Sequence, residues 1–446
     1  MPKQSSRRPP QHIPRDTPPS EVRHTNRDIA ELSPALLQAT PLVIETGRGT
    51  CLYDREGREF LDFTAGIGVT STGHCHPRIV EAAQRQVARL IHGQYGIVRH
   101  DQLLALIERL GNVVPEGLTS FFFANSGAEA VEASVRLARN YTARQNIIVF
   151  HGSFHGRTLG SAALTTSGAR FRSATSGPLP PGIVVAPFPT PFRYGWDQET
   201  TNAFCLRELD YIFATITSPG DTAAIIVEPV QGEAGYQPGS KQFFHELTKR
   251  TQRHGILLIA DEVQSGIGRT GRFWASEHFD LRPDILVFAK GIASGFPLSG
   301  VAARKEVMAR ALPGSQGGTF SANAVACAAA VATLEVIAEE GLVDNARITG
   351  GKLRAGLEAT AARHPAIGDV RGLGLMQASE FVHSDRSPDP EIAKAVVTAA
   401  FNRGLIILTC GPFGSIVRMI PALTVSPLEI ERGLEIWNAS VDEVLG

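Results

Sequence analysis

The sequence predicts an α/β protein: a large domain with a mostly parallel mixed sheet covered by helices, joined to a small α+β domain drawn from both chain ends. Three observations predict it. Short β-branched runs of buried-strand length occur at 147–150, 183–186, 223–227, 256–260 and 285–289. Longer stretches with helical spacing separate most of them, the alternation expected of a covered parallel sheet. With 446 residues, 43% of them hydrophobic, the chain can bury a large core.

Residues 1–30 stand apart. They are rich in Pro, Arg and Gln and poor in large apolar groups, so they cannot offset their own ordering entropy. A flexible tail, or a segment draped over a partner subunit, fits this composition better than a targeting arm. From about Leu32 the pattern turns globular. Residues 31–72 read as a small hairpin-forming region and the first part of the small domain. Residues 73–337 form the large domain, and 338–446 alternate helix-like and strand-like segments that complete the small one.

Composition narrows the function. Lys plus Arg number 43 and Asp plus Glu 44, so a polyanion such as nucleic acid is not the expected partner. The five cysteines are scattered and include no C-x-x-C pair, which fits free thiols in a reducing compartment. No apolar run is long enough to span a bilayer, and no signal-peptide apolar region opens the chain. A cytoplasmic enzyme of small molecules is the expectation.

The chemistry lies at the strand ends. The run AIIV is followed by Glu228, ILLIA by Asp261 and ILVFA by Lys290. Ligands of an open parallel sheet sit beyond the carboxyl ends of its strands, so these three ionisable groups are placed to converge. For any one of them, a charge that merely marks the surface is an equal alternative. A buried carboxylate at Asp261 needs a cationic or donor partner, and a pyridinium nitrogen is one. Desolvation at Lys290 would lower its pKa and free an amine to attack an aldehyde, then to carry a proton between two carbon positions.

Upstream, FFFANSGAEAVEASVRLARNY joins an apolar run to a helix on which Val131, Val135 and Ala138 are spaced along one face. Ser126 suits the N-cap, and the amides of Gly127 and Ala128 would point at a phosphate. Alone, a Ser-Gly helix start is more often a plain cap. Two other motifs are read as decoys. Gly266-Ile-Gly268-Arg-Thr-Gly271 matches G-x-G-x-x-G, but five residues separate it from its strand, so it reads as a turn-rich loop. Gly73-His74-Cys75-His76-Pro77 lacks a companion pair at zinc spacing and reads as a turn before a helix; no metal is expected.

From about Thr40 to the C-terminus the chain resembles the class III (ω-amino acid) aminotransferases of pyridoxal-phosphate (PLP) fold type I, the 4-aminobutyrate enzymes above all. The most specific motifs are DEVQSGIGRTG and FAKGIASGFPLSG, which set Lys290 29 positions after Asp261. The resemblance implies pyridoxal 5'-phosphate on Lys290, with Asp261 on the ring nitrogen and Ser126, Gly127 and Ala128 on the phosphate. Phe154 and Val263 would face the ring, with His155, Glu228 and Gln264 around it. Thr319 would complete a neighbouring subunit's phosphate site, implying a homodimer with shared active sites, or a tetramer. For the substrate, Ile67 and Arg157 match the distal-carboxylate positions, and Glu233 with Arg418 a switchable ion pair. The implied activity moves an amino group from 4-aminobutyrate or a longer ω-amino acid to 2-oxoglutarate; an ornithine-type aminotransferase or an amino-acid racemase on the same scaffold is the alternative. Residues 92–96, Ser294, 321–323 and 413–415 depart from the family pattern, and glycines at 93, 96 and 414 suggest a roomier channel.

Overall fold

The apolar runs that predict strands form the centre of a seven-stranded sheet. The computed structural model describes residues 33, 35–172 and 177–446, so the reading of residues 1–30 lies outside the described residues. In chain order the strands are Ser120–Ala124 (β1), Asn146–Phe150 (β2), Ile183–Ala186 (β3), Thr222–Val227 (β4), Leu257–Asp261 (β5), Ile285–Phe288 (β6) and Ser299–Ala303 (β7). Their spatial order is β1-β7-β6-β5-β4-β2-β3. All neighbours from β6 to β3 are parallel, whereas β7 runs antiparallel to both β6 and β1. The sheet is therefore mixed and mostly parallel.

Alternating side chains explain why the strands are apolar throughout. On one face Ile147, Ile226 and Ile259 pack with Val131, Val135 and Ala138 of the helix Gly127–Thr142 (α1). On the other face Ile148, Ile225 and Leu258 pack with Phe243 and Leu247 of the helix Lys241–His254 (α2). With both faces covered, neither set of alternate positions can be polar.

Two strands were not read as such from the sequence. β7 is SGVAA, too small in side chain to announce itself, and its smallness is steric. A Cβ at Gly300 would come within 2.6 Å of the Phe288 ring and 2.9 Å of the Phe122 carbonyl. β1 appears in the sequence only as the apolar run before α1.

Around the sheet, Ile44–Arg48, Cys51–Asp54 and Glu59–Asp62 form an antiparallel meander. Leu405–Ile406 adds to it in parallel beside Glu59–Asp62, so the two ends of the chain share one small sheet. A second four-stranded sheet has the order Ile367–Leu373, Met376–Phe381, Ile416–Met419, Leu408–Cys410. Arg418 lies on an inner strand of it, opposite Ala378 on one side and Leu408 on the other. Residues 42–446 make up one compact unit; residues 1–41 are a separate one, of which only the last few are described. No helix among the described residues is long and apolar enough to cross a membrane.

Candidate active site

Strands β4, β5 and β6 are consecutive in the sheet, so Glu228, Asp261 and Lys290 emerge from adjacent carboxyl ends. All three line one cavity of about 430 Å³, as do Gly127, Phe154, Arg157, Glu233 and Arg418. The same wall carries Ser126, Ala128, His155, Val263, Gln264 and Ile67.

Asp261 is buried and held at both oxygens. Oδ2 lies 2.7 Å from His155 Nδ1, and Oδ1 accepts the Val263 amide at 3.0 Å. The next residue, Glu262, is fully buried and pins the turn: its carboxylate accepts the amides of Ala275 and Ser276 at 2.9 and 2.7 Å and the Ser265 hydroxyl at 2.7 Å. Burial is the largest influence on Glu262 and raises its pKa, against those three donors. Sequence reasoning missed this residue, although its position directly after Asp261 was the available signal.

Glu228 joins two loops. Its Oε1 accepts the Phe154 amide and its Oε2 the Gly232 amide, both at 2.8 Å. Burial raises its pKa, and the nearby Asp261 charge adds to that, while His155 opposes it. Lys290 is half-buried and has a left-handed backbone, φ 44°. Burial draws its pKa below the ordinary lysine value of 10.5, with Asp261 and Glu228 pulling the other way. The desolvation inferred from the sequence is therefore the dominant influence on this amine.

The helix start expected from the sequence to face a phosphate is built by a capping box. Ser126 Oγ accepts the Glu129 amide at 3.3 Å, while Glu129 Oε2 accepts the Ser126 and Asn125 amides at 3.0 and 2.7 Å. The box takes the outer donors and leaves the amides of Gly127 and Ala128 at the cavity wall, the end of a helix suited to an anion. A Cβ at Gly127 would come within 3.0 Å of Val263 Cγ1, so the backbone approach depends on glycine.

Ile67 sits in a left-handed turn. Ala65, Gly66, Ile67 and Gly68 have φ of 46°, 61°, 67° and 75°. Asp62 Oδ1 anchors the turn, accepting the Thr64 amide at 2.8 Å and the Ala65 amide at 3.2 Å. Its last glycine is enforced by packing, because a Cβ there would meet Ile420 Cδ1 at 2.8 Å. Arg157 stacks over Phe154 and Phe171, 5.7 and 4.7 Å from the ring centroids. Across the cavity, Arg418 Nη1 lies 2.8 Å from Glu233 Oε2. Burial lowers the arginine pKa, but Cys410, Tyr236 and Glu233 outweigh it and hold the guanidinium above its ordinary range. Burial pushes Cys410 up to about 12 and Tyr236 well above the usual phenol range.

The remaining sequence readings divide. Thr319 is exposed and lies outside this cavity. Residues 92–96 and 413–415 do not line it either, so the roomier channel expected from their glycines has no counterpart in the wall formed by one chain. Ser294 instead braces Thr72, accepting its amide at 3.3 Å. Asn125 and 295–298, which sequence reasoning did not single out, do line the cavity. The Gly266 loop is a run of turns packed on Trp274, whose ring a Cβ at Gly266 would meet at 2.8 Å. His74 bonds Asp62 at 2.9 Å, and Pro77 starts the helix Pro77–Val87, as a turn reading requires.

These residues fit an aldehyde-bearing pyridine phosphate. An amine of lowered pKa, a buried carboxylate and a phosphate-ready helix end share one cavity. Two buried polar atoms beside them, His155 Nε2 and Gln264 Oε1, have no partner among the described residues and so are available to a bound group.

Comparison with known proteins supplies the family. The chain matches the class-III aminotransferase family over residues 34–441. It is 41% identical to the 4-aminobutyrate aminotransferase GabT of Escherichia coli, over 91% of this chain and 95% of that one. It is 40% identical to the 5-aminovalerate aminotransferase DavT of Pseudomonas aeruginosa, with the same two shares. An alanine/serine racemase of Pyrococcus horikoshii is 38% identical over 91% of this chain and 86% of its own. Among solved structures, the ω-transaminase of Pseudomonas jessenii in complex with PMP superposes with a TM-score of 0.85 at 29% identity, covering 91% of this chain and 93% of that one. The chain belongs to the class-III aminotransferase family and is a pyridoxal-phosphate-dependent enzyme of fold type I.

Proposed function

We propose that the protein transfers the amino group of an ω-amino acid, 4-aminobutyrate or a longer relative such as 5-aminovalerate, to 2-oxoglutarate, giving a semialdehyde and glutamate. The observation that carries this reading is the buried Arg418–Glu233 pair facing the same cavity as Arg157. One guanidinium suffices for a substrate with one carboxylate. A second that is already neutralised, yet releasable, suits an enzyme that must take an ω-amine and a dicarboxylic keto acid in turn.

When bound, pyridoxal 5'-phosphate supplies the aldehyde and an electron-withdrawing ring. The protein's residues do the rest. Lys290 would hold the aldehyde through Nζ, and the same amine, when free, would take up and return a proton. Asp261, oriented by His155, keeps the ring nitrogen protonated. Ser126 and the amides of Gly127 and Ala128 hold the phosphate, with Thr319 of a second copy completing it. Phe154, Val263 and Gln264, which line the same cavity, would hold the ring. Arg157, beside Ile67, receives the distal carboxylate. With the ω-amine, Glu233 neutralises Arg418; with 2-oxoglutarate it swings aside and Arg418 takes the α-carboxylate. The same reading takes the protein as a cytoplasmic homodimer, with residues 73–337 as the large domain and 31–72 with 338–446 as the small one.

The similarity to an alanine/serine racemase favours a second reading, racemisation without a keto acid. A donor screen with 2-oxoglutarate separates the two. Glutamate formed from 4-aminobutyrate or 5-aminovalerate supports transamination. Interconversion of amino-acid enantiomers without any keto acid, and no glutamate, supports the racemase.

A further inference from the structure

Resting on that reading, we propose that Arg170 is a positioning residue for the dicarboxylate half of the cycle: the cation that receives Glu233 when Arg418 releases it. Where it pairs with Arg418, Glu233 has only 14% of its side chain exposed, so a carboxylate leaving that guanidinium starts from an enclosed position. It needs a new counter-charge, or the movement costs its desolvation. Arg170 is placed to supply one. Its Nη2 lies 3.5 Å from Glu233 Oε1, the oxygen that Arg418 does not hold. That separation is ion-pair range but longer than a good hydrogen bond, so the contact is loose while Arg418 is engaged and has room to tighten.

Arg170 is not a side chain adrift on the surface. It belongs to the 3-10 turn Ala169–Phe171. The following residue, Arg172, ties this turn to the preceding helix by donating to the carbonyls of Ala163 and Thr165 at 2.5 and 3.0 Å. The Arg170 guanidinium also lies 4.8 Å from the centroid of the Phe171 ring, which carries Arg157 at 4.7 Å. Both guanidiniums therefore pack on the Phe171 ring. Contacts run from Arg157 through Phe171 and Arg170 to Glu233 and Arg418, with one carboxylate between two cations; Arg157, Glu233 and Arg418 line the cavity, and Phe171 and Arg170 stand outside its lining. In the resting pair Glu233 has both; after the switch it has only Arg170. Removing Arg170 therefore weakens the switched state more than the resting one.

The test is calorimetric titration of the holoenzyme with glutarate, which has both carboxylates of 2-oxoglutarate and no keto group, and with the monocarboxylate butyrate. Arg170→Gln is expected to weaken glutarate binding about fivefold, the upper range for a pair with one exposed partner, and to leave butyrate unchanged. Arg170→Lys is expected to restore most of the loss. Steady-state kinetics should show the same rise in KM for 2-oxoglutarate, with single-turnover reaction of the ω-amine donor unaltered. Equal glutarate affinity in Arg170→Gln and the unsubstituted protein, or equal weakening of both ligands, would overturn the proposal while leaving the two-carboxylate reading in place. Failure of the unsubstituted protein to bind glutarate would overturn that reading, and this inference with it.

Discussion

Glu233 Oε2 lies 2.8 Å from Arg418 Nη1, with 14% of the glutamate side chain and 7% of the arginine side chain exposed. Substituting Glu233→Gln keeps the volume and removes the charge, leaving Arg418 available to any α-carboxylate. The ratio of kcat/KM for glutamate to that for 4-aminobutyrate is expected to rise about tenfold, from loss of one charge-assisted pair on the ω-amine side. Competition kinetics with both donors reads this ratio directly.

Asp261 is held by His155 Nδ1 at 2.7 Å and by the Val263 amide at 3.0 Å. Asp261→Asn is nearly isosteric but carries no charge for a ring nitrogen. It is expected to lower kcat about 100-fold, in keeping with loss of a hydrogen bond between charged groups. Cofactor content, measured by absorbance after gel filtration, should stay near one per chain, because the lysine and the phosphate cradle remain.

Burial draws the Lys290 pKa below 10.5. The sign follows directly: a lysine of lowered pKa holds more neutral amine at any pH below its ordinary value. In cofactor-free protein, acylation of Lys290 followed by peptide mass spectrometry should reach half its maximal rate at a pH below 10.5. An unshifted or higher midpoint would remove the proposed basis of its reactivity.

Ile67 pays for its place in the cavity wall with a left-handed backbone, φ 67°, a conformation unfavourable for a β-branched residue. Ile67→Gly relieves that conformation, and thermal unfolding should show no loss of stability, with a gain of up to about 1 kcal/mol. The same change removes an apolar side chain from the cavity wall that also carries Arg157. It should raise KM for 4-aminobutyrate more than for 5-aminovalerate, whose longer chain retains more contact.

Much of this site was legible because its chemistry rides on regular structure. Glu228, Asp261 and Lys290 each follow an apolar run, and parallel strands bring their ends together whatever loops intervene. Ser126 and Gly127 were legible because a helix start has few chemical solutions. Arg157, Glu233 and Arg418 were reached only through resemblance to a family, since loop and inner-strand arginines have no periodicity to mark them. Other features left no such mark. β7 is built of small residues because Phe288 and the Phe122 backbone crowd Gly300, a constraint visible only in three dimensions. The left-handed turn at 65–68 depends on Asp62 and Ile420, and the neighbourhood of Arg170 on how its turn is fastened by Arg172.

A two-substrate amino transfer from an ω-amine leaves a stoichiometric product in each half of its cycle. Purified holoenzyme is mixed with 5-aminovalerate or 4-aminobutyrate without any keto acid, and released semialdehyde is counted; 2-oxoglutarate is then added and glutamate is counted. About one semialdehyde per active site is expected in the first step and an equal amount of glutamate in the second. Release of no semialdehyde from either donor, together with sustained keto-acid-free racemisation of alanine or serine, would contradict it.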